Sequence, residues 1–139
     1  MPNAFVDSNV LIYAADESQP VPRKTKIARE MLRQRGLWIS VQVLNEFTVN
    51  ARNLTKLNLT FEQEQEWLNR LLLFSISHLT TDTFVSALVI HVRYQLSHWD
   101  SLIIASAQET KCSIVYSEDM NHGQNYDGVQ VINPFAELS

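Results

Sequence analysis

Four carboxylates in this sequence lie beside apolar runs: Asp7, Glu46, Asp100 and Asp119. Carboxylates are rarely fully buried unless they are paired or bind a metal ion. If the four converge they repel one another, by about 4 kcal/mol for two charges ~4 Å apart at an effective dielectric near 20. No lysine or arginine is adjacent to any of them in the sequence. A hard divalent cation such as Mg²⁺ or Mn²⁺ would offset the repulsion, and such a site suits phosphoryl transfer to water.

Each acid also has a local structural interpretation, which stays open at this point. Asp7 can cap the helix that follows it, and Ser97 with Asp100 has the spacing of a capping box. Glu46 can be a solvated helix residue, and Asp119 can be an ordinary turn residue. All four local interpretations must hold together for a metal site to be absent.

The elements that must position these acids are short apolar runs separated by helical periods. The predicted strands cover residues 4–6, 37–39, 113–116 and 129–132. The predicted helices cover residues 10–13, 23–35, 40–54, 60–73, 80–96 and 100–111, and the connecting segments include 16–22, 76–79 and 120–128. Short strands without alternation are typical of an α/β fold with a central parallel sheet and helices on both faces. Sites in such sheets gather beyond the carboxyl ends of the strands.

Length and composition predict one soluble domain. The chain has 139 residues, of which 45% are hydrophobic, so we expect a single domain over residues 1–139 with a substantial core. No apolar run approaches the ~20 residues that cross a bilayer, and the N-terminus lacks the pattern of a secretion signal. Cys112 is the only cysteine, which excludes an intramolecular disulfide. These features favour a reducing cytoplasm and no membrane association.

Four stretches extend the acidic pattern over nearly the whole chain: FVDSNVLIYAAD, SVQVLNEF, HWDSLIIASA and IVYSEDMNHG. In order and spacing they resemble the motifs of PIN-domain ribonucleases, specifically VapC-type toxins of bacterial type II toxin–antitoxin systems. The resemblance implies a PIN-like α/β fold and an endoribonuclease that needs Mg²⁺ or Mn²⁺ and leaves a 5′-phosphate and a 3′-hydroxyl. It also implies that Asp7, Asp100 and Asp119 hold the metal, while Glu46 binds a second ion or orients the attacking water.

The resemblance carries further residues into the pocket. Ser117 matches the family's small hydroxyl residue two positions before the fourth acid, and Asn9 stands where many members have a polar residue near the pocket. Glu118 is a departure, because relatives often have asparagine there. We assign the metal-facing position to Asp119, which keeps the family's spacing.

The resemblance also implies partners for the chain: an RNA substrate, a cognate antitoxin that binds near the pocket, and a second copy of the chain. Five apolar residues at helical spacing favour a homodimer surface, with burial in the protomer's own core as the alternative. They are Trp67, Leu71, Phe84, Leu88 and Val92.

A basic segment lies within a chain whose net charge is −4. Of its 11 lysines and arginines, six lie between Arg23 and Arg35. Lys26, Arg29 and Arg33 recur at offsets of three and four and are expected to share one helical face. Since an acidic pocket does not attract a polyanion, we expect this face to bind RNA phosphates. A solvated helix face is the alternative.

Other α/β proteins with acidic pockets fit less well. A receiver-type phosphoacceptor domain needs adjacent acids after its first strand, and a haloacid-type phosphatase needs an aspartate where this chain has Asn9. No Gly-x-Gly-x-x-Gly is present for a dinucleotide. A PIN-like module that binds RNA or protein without cutting it remains the alternative function.

The remaining aromatic and imidazole residues are expected to be structural. The four histidines show no zinc-ligand spacing, and His122, near the proposed pocket, is interpreted as a loop residue. Trp38 and Trp99 are interpreted as core aromatics rather than as platforms on which bases stack.

Overall fold

Strands and helices alternate along most of the chain. The computed structural model of the protein describes residues 3–18 and 22–138. The strands are β1 (Asn3–Val6), β2 (Leu37–Ser40), β3 (Ser75–Ser77), β4 (Cys112–Tyr116), β5 (Asn125–Tyr126) and β6 (Val129–Ile132). The α-helices are α1 (Ser8–Ala14), α2 (Arg23–Met31), α3 (Val41–Arg52), α4 (Phe61–Leu71), α5 (Thr81–Tyr94) and α6 (His98–Glu109). The predicted α/β class is confirmed.

The strands form one sheet in the order β3-β2-β1-β4-β6-β5. All neighbouring pairs are parallel except β5 with β6. The central strand β1 has an almost entirely buried apolar run, and it pairs with β2 on one side and with β4 on the other. The predicted central parallel sheet is therefore confirmed, and it gains one antiparallel edge strand.

That edge strand lies in the segment 120–128 that the sequence predicted to be a loop. Asp127 and Gly128 connect β5 to β6, and both have positive φ, at 52° and 99°. A two-residue turn with both central residues at positive φ matches the twist of a β-hairpin. Strand β5 has only two residues, so apolar periodicity carries no signal for it.

Several other elements differ from the prediction in their bounds, and the largest differences are at β3 and at the end of α2. Strand β3 occupies part of the predicted link 76–79, because three residues pair with β2 at the sheet edge. Helix α2 ends at Met31 rather than near Arg35, and the chain turns through hydrogen bonds from Arg33 and Gln34 to reach β2. Of the predicted loop 16–22, residues 19–21 lie outside the described residues, and the rest is neither helix nor strand.

Helix α6 begins at His98 rather than at Asp100, and Ser97 is its N-cap. The Ser97 hydroxyl accepts a hydrogen bond from the Asp100 amide, at 3.1 Å. The apolar run that follows is in the interior, as predicted; its buried residues include Leu102, Ile103, Ile104, Ala105 and Ala107. Among the described residues, no helix is long and apolar enough to cross a membrane.

The five apolar residues that were predicted to form a dimer surface separate into two groups. Trp67 and Leu71 on α4 are buried in the protomer's own core, so that part of the prediction is wrong. Phe84, Leu88 and Val92 on α5 are exposed. The helical period of α4 is the same for a core face as for a contact surface, so the sequence could not separate the two.

An ion pair joins the end of α3 to the start of α4. Arg52 donates from Nε to Oε1 of Glu64 at 2.7 Å and from an η nitrogen to Oε2 at 3.2 Å. The Glu64 carboxylate is buried, whereas the Arg52 side chain is mostly exposed. The hydrogen bonds from Arg52 hold the pKa of Glu64 below its ordinary value of 4.5. The pair therefore braces α3, the helix that carries Glu46.

We expect Arg52→Ala to lower the melting temperature at neutral pH by a few degrees, because Glu64 then stays buried and charged without its partner. When the pKa of a carboxyl group is lower in the folded than in the unfolded protein, the group stabilises the fold at pH values above its unfolded-state pKa. This stabilisation is lost as the pH falls through the folded-state pKa. The difference between wild type and variant should therefore shrink below pH 4.5. Thermal denaturation across pH 3 to 8 tests this, with exposed Arg35→Ala as the control, and a gap that persists at the lowest pH would contradict it.

Candidate active site

Two of the four acids follow neighbouring strands at the same sheet edge. Asp7 comes directly after β1, and Asp119 comes shortly after β4, the parallel neighbour of β1. The Asp7 amide donates to the Tyr116 carbonyl at 3.0 Å, which ties the two strand ends together. Asp100 lies in the first turn of α6 and Glu46 in the second turn of α3. The carboxyl edge predicted from the strand order is thus where Asp7 and Asp119 meet.

Asp7 is only 5% exposed, and neutral groups hold its carboxylate. It caps α1 by accepting from the Ser8 amide at 2.7 Å, and it accepts from the Ser117 hydroxyl at 2.8 Å. Burial raises the pKa of Asp7 to about 7, against the lowering effect of those two hydrogen bonds. The negative charges of Glu46 and Asp119 raise it further. The capping role is real, but it does not provide a countercharge.

The side-chain amide of Asn9 lies between the Asp7 and Asp119 carboxylates. Its Nδ2 donates to Oδ2 of Asp7 at 3.3 Å and to Oδ2 of Asp119 at 3.1 Å. Its Oδ1 accepts from the Glu118 amide at 3.2 Å. The Ser117 hydroxyl accepts from the Asp119 amide at 3.2 Å. Asn9 and Ser117, both predicted from the resemblance, therefore orient the two acids with uncharged donors.

Glu46 and Asp100 extend the same cluster. Desolvation raises the pKa of Glu46; Gln42 lowers it through a 3.3 Å hydrogen bond, and the charges of Asp100 and Asp119 raise it. Desolvation also raises the pKa of Asp100, with a further rise from Asp119 and a lowering from Ser97. Each of the four carboxylates therefore interacts electrostatically with at least two of the others. The predicted quartet thus lies in one region of the structure, within electrostatic range but with no hydrogen bond from one carboxyl group to another among the described residues.

Glu118, adjacent to Asp119 in sequence, belongs to a different cluster. It forms an ion pair with Lys24 and accepts from the Tyr13 hydroxyl at 2.7 Å. Burial raises the pKa of Glu118, but the hydrogen bonds from Lys24 and Tyr13 outweigh it and leave the pKa lowered. Lys24 also lies over the Tyr13 and Phe135 rings, 5.0 and 5.6 Å from their centres. The charge of Glu118 is therefore compensated by Lys24 outside the quartet, whereas the Asp119 carboxylate accepts a hydrogen bond from Asn9.

Sequence reasoning missed three residues of this region. Gln42 stands four residues before Glu46 on α3, a spacing that places the two side chains together on a helix and could have indicated the contact. Tyr13 and Lys24 carry no comparable signal, because they reach Glu118 from distant parts of the chain.

The donor chemistry of the quartet fits a hard divalent cation, since all its side-chain ligands are carboxylate oxygens. The ion pairs found among the described residues use other acids. Within residues 3–18 and 22–138, however, no three acidic, histidine or cysteine side chains are close enough to form a ready-made metal site. The carboxylates are therefore near enough to interact electrostatically without being arranged as a ready-made site.

The three basic residues predicted to share a face do not form one free surface. Lys26 is exposed. Arg29 donates to the Ala14 carbonyl at 2.8 Å and to the Asp16 carbonyl at 3.3 Å, so it joins α2 to the end of α1. Arg33 lies beyond the last residue of α2 and pairs with Glu30 at 3.5 Å. The expectation of a single helical face is wrong for Arg33, because α2 is shorter than predicted.

The aromatic residues also differ from expectation. Trp38 packs partly buried against the core, as predicted, but Trp99 is 61% exposed, so its interpretation as a core residue is wrong. Trp99 lies directly before Asp100, and its side chain lines a groove of about 540 Å³ that also includes Glu46. His122 accepts from the Asn133 amide at 2.9 Å, in agreement with its predicted loop role.

Known proteins share this architecture. Among solved structures, a toxin–antitoxin complex from Klebsiella pneumoniae superposes with a TM-score of 0.70 at 21% identity, covering 95% of this chain and 98% of that chain. VapC20 of Mycobacterium tuberculosis, described as a sarcin–ricin loop cleaving toxin, gives 0.68 at 16% identity and covers 86% and 92%. DNA-bound VapBC from Salmonella typhimurium gives 0.66 at 14% identity and covers 96% and 99%.

The match at the level of sequence is to a family rather than to an individual protein. No curated protein matches the chain. At 14–21% identity, the solved structures show a common fold. The family model described as PIN domain matches residues 4–126. That match spans the strands and helices that carry all four acids, and the chain belongs to the PIN domain family.

Proposed function

We propose that the protein is a VapC-type toxin, an endoribonuclease that depends on Mg²⁺ or Mn²⁺. The observation that carries the proposal is that Asp7, Glu46, Asp100 and Asp119 lie within electrostatic range of one another and have no cationic partner among the described residues. Membership of the PIN family agrees with it. Like-charged groups gathered in one pocket destabilise the free protein, so their arrangement is best explained by a bound cation.

In the proposed reaction, water attacks phosphorus and the bond to the 3′ oxygen breaks, which leaves a 5′-phosphate and a 3′-hydroxyl. Asp7, Asp100 and Asp119 would hold the divalent cation, which would supply Lewis acidity towards the phosphate. Ser117 and Asn9 fix the Asp7 and Asp119 oxygens through their hydrogen bonds. Glu46, steadied by Gln42, accepts a hydrogen bond from the attacking water and orients it.

The solved relatives support the proposed partners. Several are toxin–antitoxin complexes, and VapC20 cleaves the sarcin–ricin loop. We infer that RNA is the substrate and that a cognate antitoxin covers the acidic pocket. A single PIN domain over residues 1–139 in a reducing cytoplasm agrees with the buried free thiol of Cys112.

A homodimer is part of the same proposal. Helix α5 presents apolar side chains that the protomer leaves exposed, among them Phe84, Leu88 and Val92. A second copy of the chain that packs against α5 would remove these apolar side chains from water. Trp67 and Leu71 take no part, since the protomer's core contains them.

A non-catalytic PIN-like module that binds RNA or protein remains the second candidate. The observation that favours it is the lack, among the described residues, of three side chains already close enough to hold a metal. Metal-dependent cleavage distinguishes the two candidates.

We expect pure protein to cleave single-stranded RNA in Mg²⁺ or Mn²⁺ and to leave 5′-phosphate ends. Excess EDTA should abolish the cleavage. Asp100→Asn should lower the cleavage rate by about 100-fold or more, because a cation ligand is removed. Glu66→Gln, which changes an exposed acid on α4, is the matched control and should cleave as wild type does. Cleavage that persists in EDTA, or an Asp100→Asn variant with wild-type activity, would refute the mechanism.

Metal binding should also appear as a change in stability. We expect Mg²⁺ to raise the melting temperature of the wild type, since a ligand that binds only the folded state stabilises it. Asp7→Asn removes one repelling charge and keeps a capping side chain, so its melting temperature in EDTA should equal or exceed that of the wild type. Its response to Mg²⁺ should be smaller.

Differential scanning fluorimetry in EDTA and in Mg²⁺ measures both effects, and Glu66→Gln again serves as the control that keeps the full Mg²⁺ response. A large fall in the melting temperature of Asp7→Asn would show that Asp7 serves the fold through its cap and hydrogen bonds rather than the metal.

The basic residues near α2 should contribute to RNA affinity. Arg29 is excluded from the test, because it holds the end of α1. We expect Lys26→Gln with Arg33→Gln to weaken RNA binding in EDTA and to reduce the salt slope by about 0.7 for each phosphate that the variant no longer neutralises. Lys111→Gln, an exposed lysine before β4, is the control. An unchanged affinity and slope in the double variant would show that RNA enters over another surface.

A further inference from the structure

A groove opens beside the acidic quartet, between the start of α6 and the exposed side of α3. Its volume is about 540 Å³, within the range of small-molecule pockets. Glu46 belongs both to the quartet and to the lining of this groove. Whatever occupies the groove is therefore held next to Glu46, one of the four carboxylates.

Trp99 forms the main aromatic surface of the groove. It is 61% exposed although it is a large apolar residue in a protein with a well-formed core. The His98 ring packs against the indole at an angle of 67°, with ring centres 5.5 Å apart. The backbone carbonyl of Trp99 accepts a hydrogen bond from Nε2 of Gln42 at 3.5 Å. These contacts fix the indole at the mouth of the groove without covering it.

The rest of the lining combines apolar side chains with amides. Ile12 and Leu79 contribute apolar surface, and Asn45 and Asn53 are exposed at the rim. Gln42, which is 5% exposed, has a carboxamide oxygen without a hydrogen-bond partner among the described residues. A buried acceptor left unpaired is costly, so the groove contains polar capacity that the protein itself does not use.

We propose that this groove is a nucleobase subsite for single-stranded RNA, in which one base stacks on Trp99 and presents its neighbouring phosphodiester to the acids. The inference rests on the proposed ribonuclease function. A base has an aromatic face for the indole and polar edges for the carboxamides, and Lys56 on the same lining supplies a positive charge for the backbone. Every base has such a face, so Trp99 contributes affinity and register rather than a sequence preference.

The test measures binding without cleavage. A short single-stranded RNA and an abasic oligonucleotide of the same length are titrated in EDTA against wild type, Trp99→Ala and Trp99→Phe. Trp99→Ala should weaken binding of the RNA by roughly 5-fold to 150-fold, the usual effect of removing one stacking side chain. Trp99→Phe should recover most of the affinity. Both variants should bind the abasic oligonucleotide as the wild type does.

Phe61→Ala is the matched control, because Phe61 is also a well-exposed aromatic but lies at the start of α4, outside the lining of this groove. It should leave RNA affinity unchanged. The subsite would be overturned if Trp99→Ala lost the same affinity for RNA and for the abasic oligonucleotide. It would also be overturned if the variant lost affinity for neither, and that result would favour a polypeptide as the occupant of the groove. Wild-type protein that binds RNA no better than the abasic oligonucleotide would overturn it as well.

The two proposals fail separately. RNA binding that depends on Trp99 without any metal-dependent cleavage would refute the nuclease and retain the subsite as part of a binding module. Cleavage with an affinity independent of Trp99 would retain the nuclease and refute the subsite.

Discussion

Repulsion among carboxylates at one edge of a parallel sheet is the constraint on which this structure depends. Asp7 is buried where its charge is disfavoured, and burial alone is the largest reason for its raised pKa. The fold tolerates this because the Ser8 amide, Asn9 and Ser117 donate hydrogen bonds to the acids. These donors orient the oxygens but leave their charge in place. Hydrogen bonds from neutral donors thus let the fold hold the acids close together without cancelling their negative charge.

Strands and helices of the core fix the positions of the acids. The pairing of β1 with β4 sets the distance between Asp7 and Asp119, and the bond from the Asp7 amide to Tyr116 continues that pairing to the edge of the sheet. Asp100 is held at the start of α6, whose apolar residues fill the interior. A carboxylate at a helix N-terminus is itself favoured, by roughly 0.3–1 kcal/mol. A position in the first turn of a helix is therefore compatible with the metal-ligand role proposed for Asp100.

Neighbouring acids in the sequence have opposite electrostatic surroundings. Glu118 forms an ion pair with Lys24 and accepts a hydrogen bond from Tyr13. Asp119 instead accepts a hydrogen bond from the neutral amide of Asn9 within the quartet. The separation keeps Lys24 from neutralising the pocket. The groove beside Glu46 is lined by Trp99 and by amide side chains of α3, which suit a nucleobase better than a free anion.

The sequence by itself determined the α/β class and the order of the main strands and helices, because apolar period is a local property, and it predicted four acids whose site role stays a proposal. It did not determine β3 or β5, whose two or three residues become strands only through pairing with a neighbour. It placed Trp99 in the core, which was wrong, and it left Trp67 between a dimer surface and the protomer's core, since helical period shows which residues share a face but not what covers that face. The ion pair of Glu118 with Lys24, 94 residues apart, was likewise decided only by the tertiary structure, which alone sets the distance between charges far apart in the chain.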